Sequence, residues 1–258
     1  MTNLLEAQDL CKRFGGVVAL DRLDLAVAPN EILGLIGPNG SGKTTFFNVV
    51  TGIYRPDAGR VLFENVDITH AAPRTVYNAG IARTFQRSRL SLPLSIFDNI
   101  MIGNHKRLNQ GLWFNLMRRH SFKAEFEQGY RAARALLEVF EPALAERMFE
   151  PAAGLPMIDR RRIEICRALI SEPKLLLLDE PSAGMTHEET AELMKDILQV
   201  RDRNRNLTIV IVEHEMGVIE RITDRCVVLN FGRKIAEGPY RQVAADGQVQ
   251  VAYLGVAS

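Results

Sequence analysis

The chain has 258 residues, of which 47% are hydrophobic and 24% charged, a composition typical of a globular protein with a full core. Its 32 Lys and Arg residues nearly balance its 31 Asp and Glu residues, and the resulting net charge of +1 disfavours extensive contact with nucleic acid. The longest aliphatic runs fall far short of the ~20 residues that span a bilayer. Any contact with a membrane is therefore expected to come through another protein.

Three cysteines, Cys11, Cys166 and Cys226, lie far apart in the sequence. Their odd number disfavours a disulfide framework, and none has the close spacing of zinc ligands. We expect them to be reduced thiols.

The N-terminal part of the chain has the pattern of a sheet followed by a helix. Residues 1–30 alternate apolar and polar side chains and end at Pro29 and Asn30, which predicts antiparallel strands and a turn. Residues 31–36 form a short apolar run that predicts another strand. Residues 44–51 carry apolar side chains at helical spacing before Gly52, so strand, loop and helix follow directly.

The middle and the C-terminal part show two further patterns. Between residues 104 and 150, apolar residues recur at steps of three and four and predict an amphipathic helix in a helical lobe. They are Phe122, Phe126, Tyr130, Ala133, Leu137 and Phe140. Apolar runs at 175–178 and 208–212 flank a helix predicted over 187–200, an order that implies parallel strands. Thr186 and Glu189 match a capping box at the start of that helix.

A phosphate-binding pattern, GxxxxGK[ST], lies between the strand at 31–36 and the following helix. Its residues are Gly37, Pro38, Asn39, Gly40, Ser41, Gly42, Lys43 and Thr44. Glycine-rich backbone can wrap phosphates, Lys43 can reach the β- and γ-phosphates, and the Thr44 hydroxyl can ligate Mg²⁺. Thr45 can add a hydroxyl to the α-phosphate. The segment therefore predicts a nucleotide-binding site.

Polar residues at the ends of other strands complete a candidate catalytic site. Asp179 and Glu180 follow the apolar run at 175–178, where Asp179 is expected to hold Mg²⁺ and Glu180 to polarise the attacking water. His214 follows the run at 208–212 and is a candidate γ-phosphate sensor, although a lone histidine there is more often structural. Gln86 follows a short strand and can contact Mg²⁺ or the water. Phe14 lies either in the core or against the adenine face.

These motifs resemble those of ATP-binding cassette (ABC) ATPases, in the order phosphate-binding loop, Gln86, the Asp179-Glu180 pair and His214. The segments at 12–16, 82–86, 230–238 and 252–255 look like the ATP-binding subunits of branched-chain amino-acid importers. The resemblance implies an α/β P-loop NTPase fold with a mixed β-sheet core lobe, an antiparallel β subdomain and a smaller helical lobe. It also implies one domain over 1–258, with 1–86 and 170–258 as the core lobe and 87–169 as the helical lobe.

The resemblance also implies a cellular role. ATP and Mg²⁺ would be the cofactors, and Glu180 the general base. The partners would be two membrane permease subunits, contacted by Gln86 and the segment after it, a second ATP-binding subunit and, indirectly, an extracytoplasmic solute-binding protein. The chain would lie at the cytoplasmic face of the inner membrane and power import of branched-chain or related amino acids.

Two segments depart from the family pattern. The D-loop, which usually ends in Asp, ends here in Thr186, and the signature departs further. The signature Leu-Ser-Gly-Gly-Gln, which binds the γ-phosphate held by the other subunit, falls without a gap on Leu155, Pro156, Met157, Ile158 and Asp159. Pro156 lacks a hydroxyl and an N–H, Ile158 adds a branched side chain, and Asp159 adds negative charge. The three arginines at 160–162 can partly offset that charge, but such a run more often forms a solvated helical face, which we expect here. We therefore predict a heterodimer with a different ATP-binding subunit bearing a regular signature.

Four other functions stay open from the sequence. Within transport, one is the import of another amide or carboxylate solute. A lipid-exporting ABC ATPase has similar motifs but lacks so long a middle insertion. A soluble ABC ATPase acting on ribosomes or DNA is disfavoured by the neutral charge and the single cassette. A regulatory subunit that does not hydrolyse ATP is disfavoured by the intact Lys43, Asp179, Glu180 and His214.

Overall fold

The computed structural model describes residues 3–86, 90–104 and 119–254. The chain divides into two compact units. The first comprises Met1–Arg83, Lys174–Pro181 and Asn204–Ser258, and the second Thr84–Pro173 and Ser182–Arg203. Residues 182–203 thus group with the second unit, whereas the sequence-based division places them in the core lobe. That division into lobes stays a prediction.

The described strands all belong to the first unit. They are β1 (Leu5–Phe14), β2 (Val17–Val27), β3 (Ile32–Ile36), β4 (Ala58–Phe63), β5 (Val66–Asp67), β6 (Ile81–Arg83), β7 (Leu175–Asp179), β8 (Thr208–Val212), β9 (Arg225–Asn230) and β10 (Arg233–Gly238).

The described helices are distributed over both units. They are α1 (Lys43–Val50), α2 (Pro73–Ala79), α3 (Ile96–Met101), α4 (Arg119–Phe140), α5 (Pro142–Glu146), α6 (Met157–Leu169), α7 (His187–Arg203), α8 (Met216–Ile222), α9 (Tyr240–Ala244) and α10 (Gly247–Leu254), with a 3₁₀ turn at Ile102–Asn104. The second unit contains α3 to α7. No helix among the described residues is both long enough and apolar enough to cross a membrane.

Two sheets build the first unit. One has the strand order β2-β1-β4-β5 and is antiparallel, which confirms the antiparallel strands predicted for the N-terminal part. The other has the order β10-β9-β3-β8-β7-β6, in which the strands from β9 to β6 run parallel and β10 pairs antiparallel to β9. The parallel pairing of β7 and β8 confirms the prediction from the apolar runs.

The parallel strands bring the carboxyl ends of β3, β7 and β8 to one edge of the sheet. All three are buried along their whole length, as expected for parallel strands covered on both faces. The register pairs Gly34 with Ile211 and Asp179 with Val212, so the three strands end side by side. The segments that follow them, which contain the candidate site, therefore lie close together.

The long helix α4 confirms the amphipathic helix predicted for the middle of the chain. Ala133 and Leu137 are fully buried and Phe140 is nearly so, whereas Phe126 is exposed and packs edge-on against Phe97, with ring centroids 5.4 Å apart. The side chain of Phe122 and residues 87–89 and 105–118 of the predicted helical lobe lie outside the described residues.

The prediction of a solvated arginine face at 160–162 is wrong for two of the three residues. The Arg161 and Arg162 side chains are only 3% and 4% exposed. Arg161 pairs with Glu164 at 2.7 Å, and Arg162 pairs with Asp196 of α7 at 2.9 Å. The charges are buried because carboxylates within the second unit neutralise them, and most of those partners are remote in sequence.

Arg162 of α6 and Asp196 of α7 form a buried ion pair. Burial disfavours the charge on Arg162, but hydrogen bonds to Glu192 and Asp196 raise its pKa above the ordinary value. Burial raises the pKa of the Asp196 carboxyl, and Arg162 opposes that shift. The two helices are thus joined by an ion pair that is costly to leave half-made.

Candidate active site

The loop between β3 and α1 has a backbone that only glycine can form at two positions. Gly37 has φ +148°, and a Cβ there would lie 2.2 Å from the carbonyl oxygen of Leu229. Gly42 has φ +109°, and its Cβ would lie 2.6 Å from the carbonyl oxygen of Ala19. The loop therefore packs its backbone so closely against neighbouring backbone that no side chain fits at these two positions.

The ammonium group of Lys43 lies inside this loop. Its Nζ donates to the carbonyl oxygens of Gly37 at 2.7 Å and Pro38 at 3.0 Å. Burial lowers the pKa of Lys43, while the nearby carboxylates of Glu180 and Asp179 oppose that shift. In this arrangement Lys43 is held by the loop's own carbonyls, at the place where the predicted phosphates would bind.

Two threonines follow Lys43 in the first turn of α1. Thr44 is exposed and Thr45 is partly exposed, whereas Phe46 and Phe47 behind them are fully buried. The helix thus anchors itself in the core by its aromatic side and presents hydroxyl groups at its N-terminus, where the helix dipole favours negative charge. This placement agrees with a role of Thr44 and Thr45 toward phosphate and Mg²⁺.

The carboxylates of Asp179 and Glu180, at the end of β7, differ in their hydrogen-bond partners. Asp179 is buried, and its Oδ2 accepts a hydrogen bond from Arg83 Nη2 at 2.7 Å. Glu180 is the next residue, has φ +49° and accepts from His214 through its Oε1 at 2.7 Å. A left-handed backbone at a residue other than glycine is strained, and such strain often occurs at functional sites.

The contact between Glu180 and His214 joins the ends of β7 and β8. An ionised carboxylate only accepts hydrogen bonds, so His214 Nε2 carries the proton when Glu180 is ionised. The His214 side chain is 46% exposed and that of Glu180 is 16% exposed, so the imidazole is open to a ligand while the carboxylate is shielded. The structure brings together Lys43, Asp179, Glu180 and His214, as the strand pattern predicts.

Gln86 lies in the second unit. It is exposed, and its carbonyl oxygen accepts from Arg161 Nη2 at 3.2 Å, while that of Phe85 accepts from Arg161 Nη1 at 3.1 Å. Arg161 therefore anchors the backbone that carries Gln86. The role of the Gln86 side chain toward Mg²⁺ stays a prediction.

Phe14 lies at the end of β1 and is 42% exposed, which does not fit a core residue. Its ring packs edge-on against Tyr54, with centroids 5.2 Å apart, and Lys12 Nζ lies 5.4 Å from its centroid. An exposed aromatic surface at this position agrees with the adenine hypothesis, which stays a prediction.

The variant signature forms the N-terminus of α6. Pro156 is the N-cap and makes no side-chain capping bond, and Met157 is 41% exposed. Ile158 is buried within the second unit, so its side chain does not stand on the surface as we expected. Asp159 accepts from Arg162 Nη1 at 3.1 Å, which offsets the negative charge predicted there. Of the three departures predicted from the sequence, that of Pro156 therefore remains, and a weak signature stays a prediction.

Sequence reasoning missed the buried arginines as functional residues. Arg83 contacts Asp179, and Arg161 holds the backbone next to Gln86. The available signal for Arg83 was a charged residue in a short strand whose other residues, Ile81 and Ala82, are apolar. For Arg161 the signal was a glutamate three residues later on the same helix face.

A profile described as "ABC transporter" matches residues 20–183 of the chain. The chain belongs to the ABC transporter family. It is thus a nucleotide-binding ATPase that powers transport, which confirms the predicted family, enzyme class and α/β P-loop fold. The described sheets, one mixed and one antiparallel, agree with this assignment.

The chain is similar to named transport proteins over nearly its whole length. LivG of Escherichia coli, a high-affinity branched-chain amino acid transport ATP-binding protein, is 38% identical over 255 residues, 98% of each chain. BraF of Pseudomonas aeruginosa, described in the same words, is 34% identical over 254 residues, again 98% of each chain.

Solved structures of ATP-binding cassettes share the fold. A nucleotide-free cassette from an ABC transporter has a TM-score of 0.83 and 30% identity, covering 100% of both chains. A cassette in its ADP conformation has a TM-score of 0.85 and 30% identity, covering 99% of this chain and 100% of the other.

Proposed function

We propose that this ATPase powers import of branched-chain or related amino acids. The observation that carries the proposal is its identity to LivG of Escherichia coli, 38% over 98% of both chains, together with the paired Glu180 and His214. Two membrane permease subunits would be its direct partners, and a solute-binding protein would deliver the amino acid. The chain would then work at the cytoplasmic face of the membrane without inserting into it.

The nucleotide site would be built on the first unit. Phe14 would face the adenine, the loop amides would hold the phosphates, and Lys43 would exchange its loop carbonyls for phosphate oxygens. Thr45 would reach the α-phosphate. This arrangement is supported by the glycine backbone of the loop, in which added side chains would collide with neighbouring backbone.

The donors around the loop fit a magnesium ion. Thr44 and Asp179 supply hard oxygen atoms of the kind that Mg²⁺ prefers, and Gln86 is proposed as a third ligand on the family resemblance alone. When bound, Mg²⁺ neutralises charge that develops on the phosphates. Asp179 would orient it through the carboxylate oxygen that Arg83 does not occupy.

Hydrolysis would use the Glu180 and His214 pair. Glu180 would accept a proton from the attacking water, and the shielding of its carboxylate keeps the acceptor in a defined position. His214 would hold Glu180 through Nε2 and sense the γ-phosphate with its exposed imidazole. Glu180 has a left-handed backbone with φ +49°, a strained conformation of the kind that often occurs at functional sites.

The variant signature supports pairing with a different ATP-binding subunit. In a head-to-tail dimer each ATP lies between the loop of one subunit and the signature helix of the other. Pro156 offers neither hydroxyl nor N–H to a phosphate, so two copies of this chain would make two weak sites. A partner with a regular signature would complete the site that holds this chain's Lys43 and Glu180.

Uptake by cells tests the transported solute. A strain lacking the gene is complemented with the parent chain, with Glu180→Gln, or with the control Glu127→Gln, which changes an exposed residue of α4. We expect the parent and the control to restore uptake of labelled leucine, isoleucine and valine and Glu180→Gln to fail. Unchanged uptake in the deletion strain would contradict the proposed solutes.

A further inference from the structure

Arg83 is a buried arginine to which the sequence analysis assigns no role. It connects β6, α1 and β7 of the first unit. Arg83, the last residue of β6, donates from Nη1 to Asn48 Oδ1 of α1 at 2.7 Å and from Nη2 to Asp179 Oδ2 of β7 at 2.7 Å. Its Cζ lies 5.3 Å from the centroid of the Phe47 ring. One guanidinium thus contacts the helix that begins at Lys43 and the carboxylate at the end of β7.

The strand register explains how Arg83 reaches this position. Arg83 pairs with Leu177 in the parallel ladder between β6 and β7. Leu177 and Asp179 point to the same face of the sheet because side chains alternate along a strand. The long Arg83 side chain spans the remaining two residues, and α1 covers it with Phe47 and Asn48.

Burying this ion pair is energetically costly, and its presence therefore points to a role in orienting side chains. The Arg83 and Asp179 side chains are 5% and 4% exposed, and a buried ion pair gives little net stability compared with an apolar pair. Arginine offers a planar fork with donors at fixed angles, which a lysine cannot supply. The fork holds one carboxylate oxygen, Oδ2, while Oδ1 makes no hydrogen bond to another described residue.

We propose that Arg83 is a positioning residue of the ATPase site, which fixes the Asp179 carboxylate relative to the phosphate-binding helix. Through this bridge the Asp179 carboxylate would keep one orientation, with Oδ1 left for the metal of the nucleotide complex, and Asn48 would anchor the guanidinium on α1. The inference rests on the proposed role of Asp179 toward Mg²⁺.

Metal binding measured apart from turnover tests the bridge. Full-length parent, Arg83→Lys and Asn48→Ala are loaded with a non-hydrolysable ATP analogue, and Mn²⁺ affinity is measured by electron paramagnetic resonance. We expect Mn²⁺ affinity to fall by roughly tenfold in both variants, in the range for residues that orient metal ligands. Affinity for the analogue in EDTA is expected to stay within about twofold, because the loop and Lys43 hold the phosphates.

One control variant and a measurement of stability separate positioning from folding. Arg241→Lys changes an exposed arginine whose side chain is 89% exposed, and we expect parent-like Mn²⁺ affinity. Asn48→Ala keeps the ion pair, and thermal unfolding of each variant shows whether the fold is retained. Parent-like Mn²⁺ affinity in folded Arg83→Lys and Asn48→Ala would overturn the proposal.

The variant Asp179→Asn tests the role of Asp179 in metal binding separately from the role of Arg83. Lower Mn²⁺ affinity in Asp179→Asn together with parent-like affinity in the Arg83 and Asn48 variants would overturn the role of Arg83 alone. Parent-like affinity in Asp179→Asn would overturn the proposed role of Asp179, and the bridge with it.

Discussion

The Glu180 carboxylate and the His214 imidazole form the contact that links the ends of β7 and β8, with 2.7 Å between Oε1 and Nε2. Each side chain is held differently: Glu180 by a left-handed backbone and partial burial, and His214 mainly by Glu180 itself. A histidine that is nearly half exposed is not a core residue. The exposure of His214 therefore argues against a core residue, and its role as a γ-phosphate sensor stays a prediction.

Replacing His214 tests that interpretation. His214→Ala is expected to slow ATP hydrolysis by at least about tenfold while ADP affinity stays close to that of the parent, because ADP lacks the γ-phosphate. Turnover and the binding of ADP and of an ATP analogue are measured in the assembled transporter. His70→Ala, at an exposed turn of the first unit, is the control. Equal weakening of ADP and ATP binding would instead support a structural histidine.

At the scale of residues, local sequence patterns were sufficient to predict the main site residues. They did not predict the residues that hold those side chains in place. The loop from Gly37 to Thr44 is recognisable because its chemistry resides in consecutive residues. The same holds for the Asp179-Glu180 pair. The contact of Arg83 with Asp179 was not predicted because the two residues are 96 positions apart, a separation that no sequence periodicity reveals.

Helices α6 and α7 are joined by the Arg162 side chain. Arg162 contacts Asp196 at 2.9 Å and Glu192 at 2.5 Å on α7, and Asp159 at 3.1 Å on its own helix. The capping box at the start of α7 is formed as predicted, with Thr186 N donating to Glu189 Oε2 at 2.9 Å and Glu189 N donating to Thr186 Oγ1 at 3.2 Å. The start of α7 is thus stabilised by its capping box, and Arg162 joins α7 to α6.

Removing that cation is expected to destabilise the chain. Arg162→Met keeps the length of the stem but leaves the buried Asp196 unpaired, at a cost of about 3–5 kcal/mol in the free energy of unfolding. The matched control is Arg134→Met on α4, whose pair with Glu138 is 47% exposed on both sides, so its loss is expected to change stability far less. Urea unfolding measures both. Equal effects of the two substitutions would contradict a structural role for the buried pair.

At the scale of elements, apolar runs and helical spacing predicted β3, β7, β8, α1 and α4. These elements are readable because burial on one or both faces imposes the pattern on consecutive residues. Arg161 and Arg162 were misread because charge runs are usually solvated, whereas two acceptors of Arg162, Glu192 and Asp196, lie on another helix. A partner on a separate element leaves no trace in local composition.

For the whole molecule, an intact phosphate-binding loop and a weak signature occur in one chain. Pro156 caps α6 without a hydrogen bond, while the Arg162 pair offsets the charge of Asp159. We therefore expect the chain to hydrolyse ATP slowly alone and faster with a different ATP-binding subunit. The two sites of that heterodimer are expected to be unequal.

Comparison of two substitutions tests this inequality. Glu180→Gln in this chain is compared with the equivalent change in the partner, and ATP turnover of each heterodimer is measured. We expect the change in this chain to abolish most turnover and the change in the partner to have a smaller effect. Fast hydrolysis by the lone chain, or equal losses, would show that residues 155–159 form a working variant signature.

The most direct test of the account is ATP turnover by the assembled transporter carrying Glu180→Gln, measured beside its nucleotide affinity. The substitution keeps the size of the side chain and its contact with His214 but removes the proton acceptor. The account predicts parent-like ATP binding and turnover lowered by roughly 10²- to 10⁴-fold, the usual contribution of a positioned base. Turnover equal to that of the parent would contradict it.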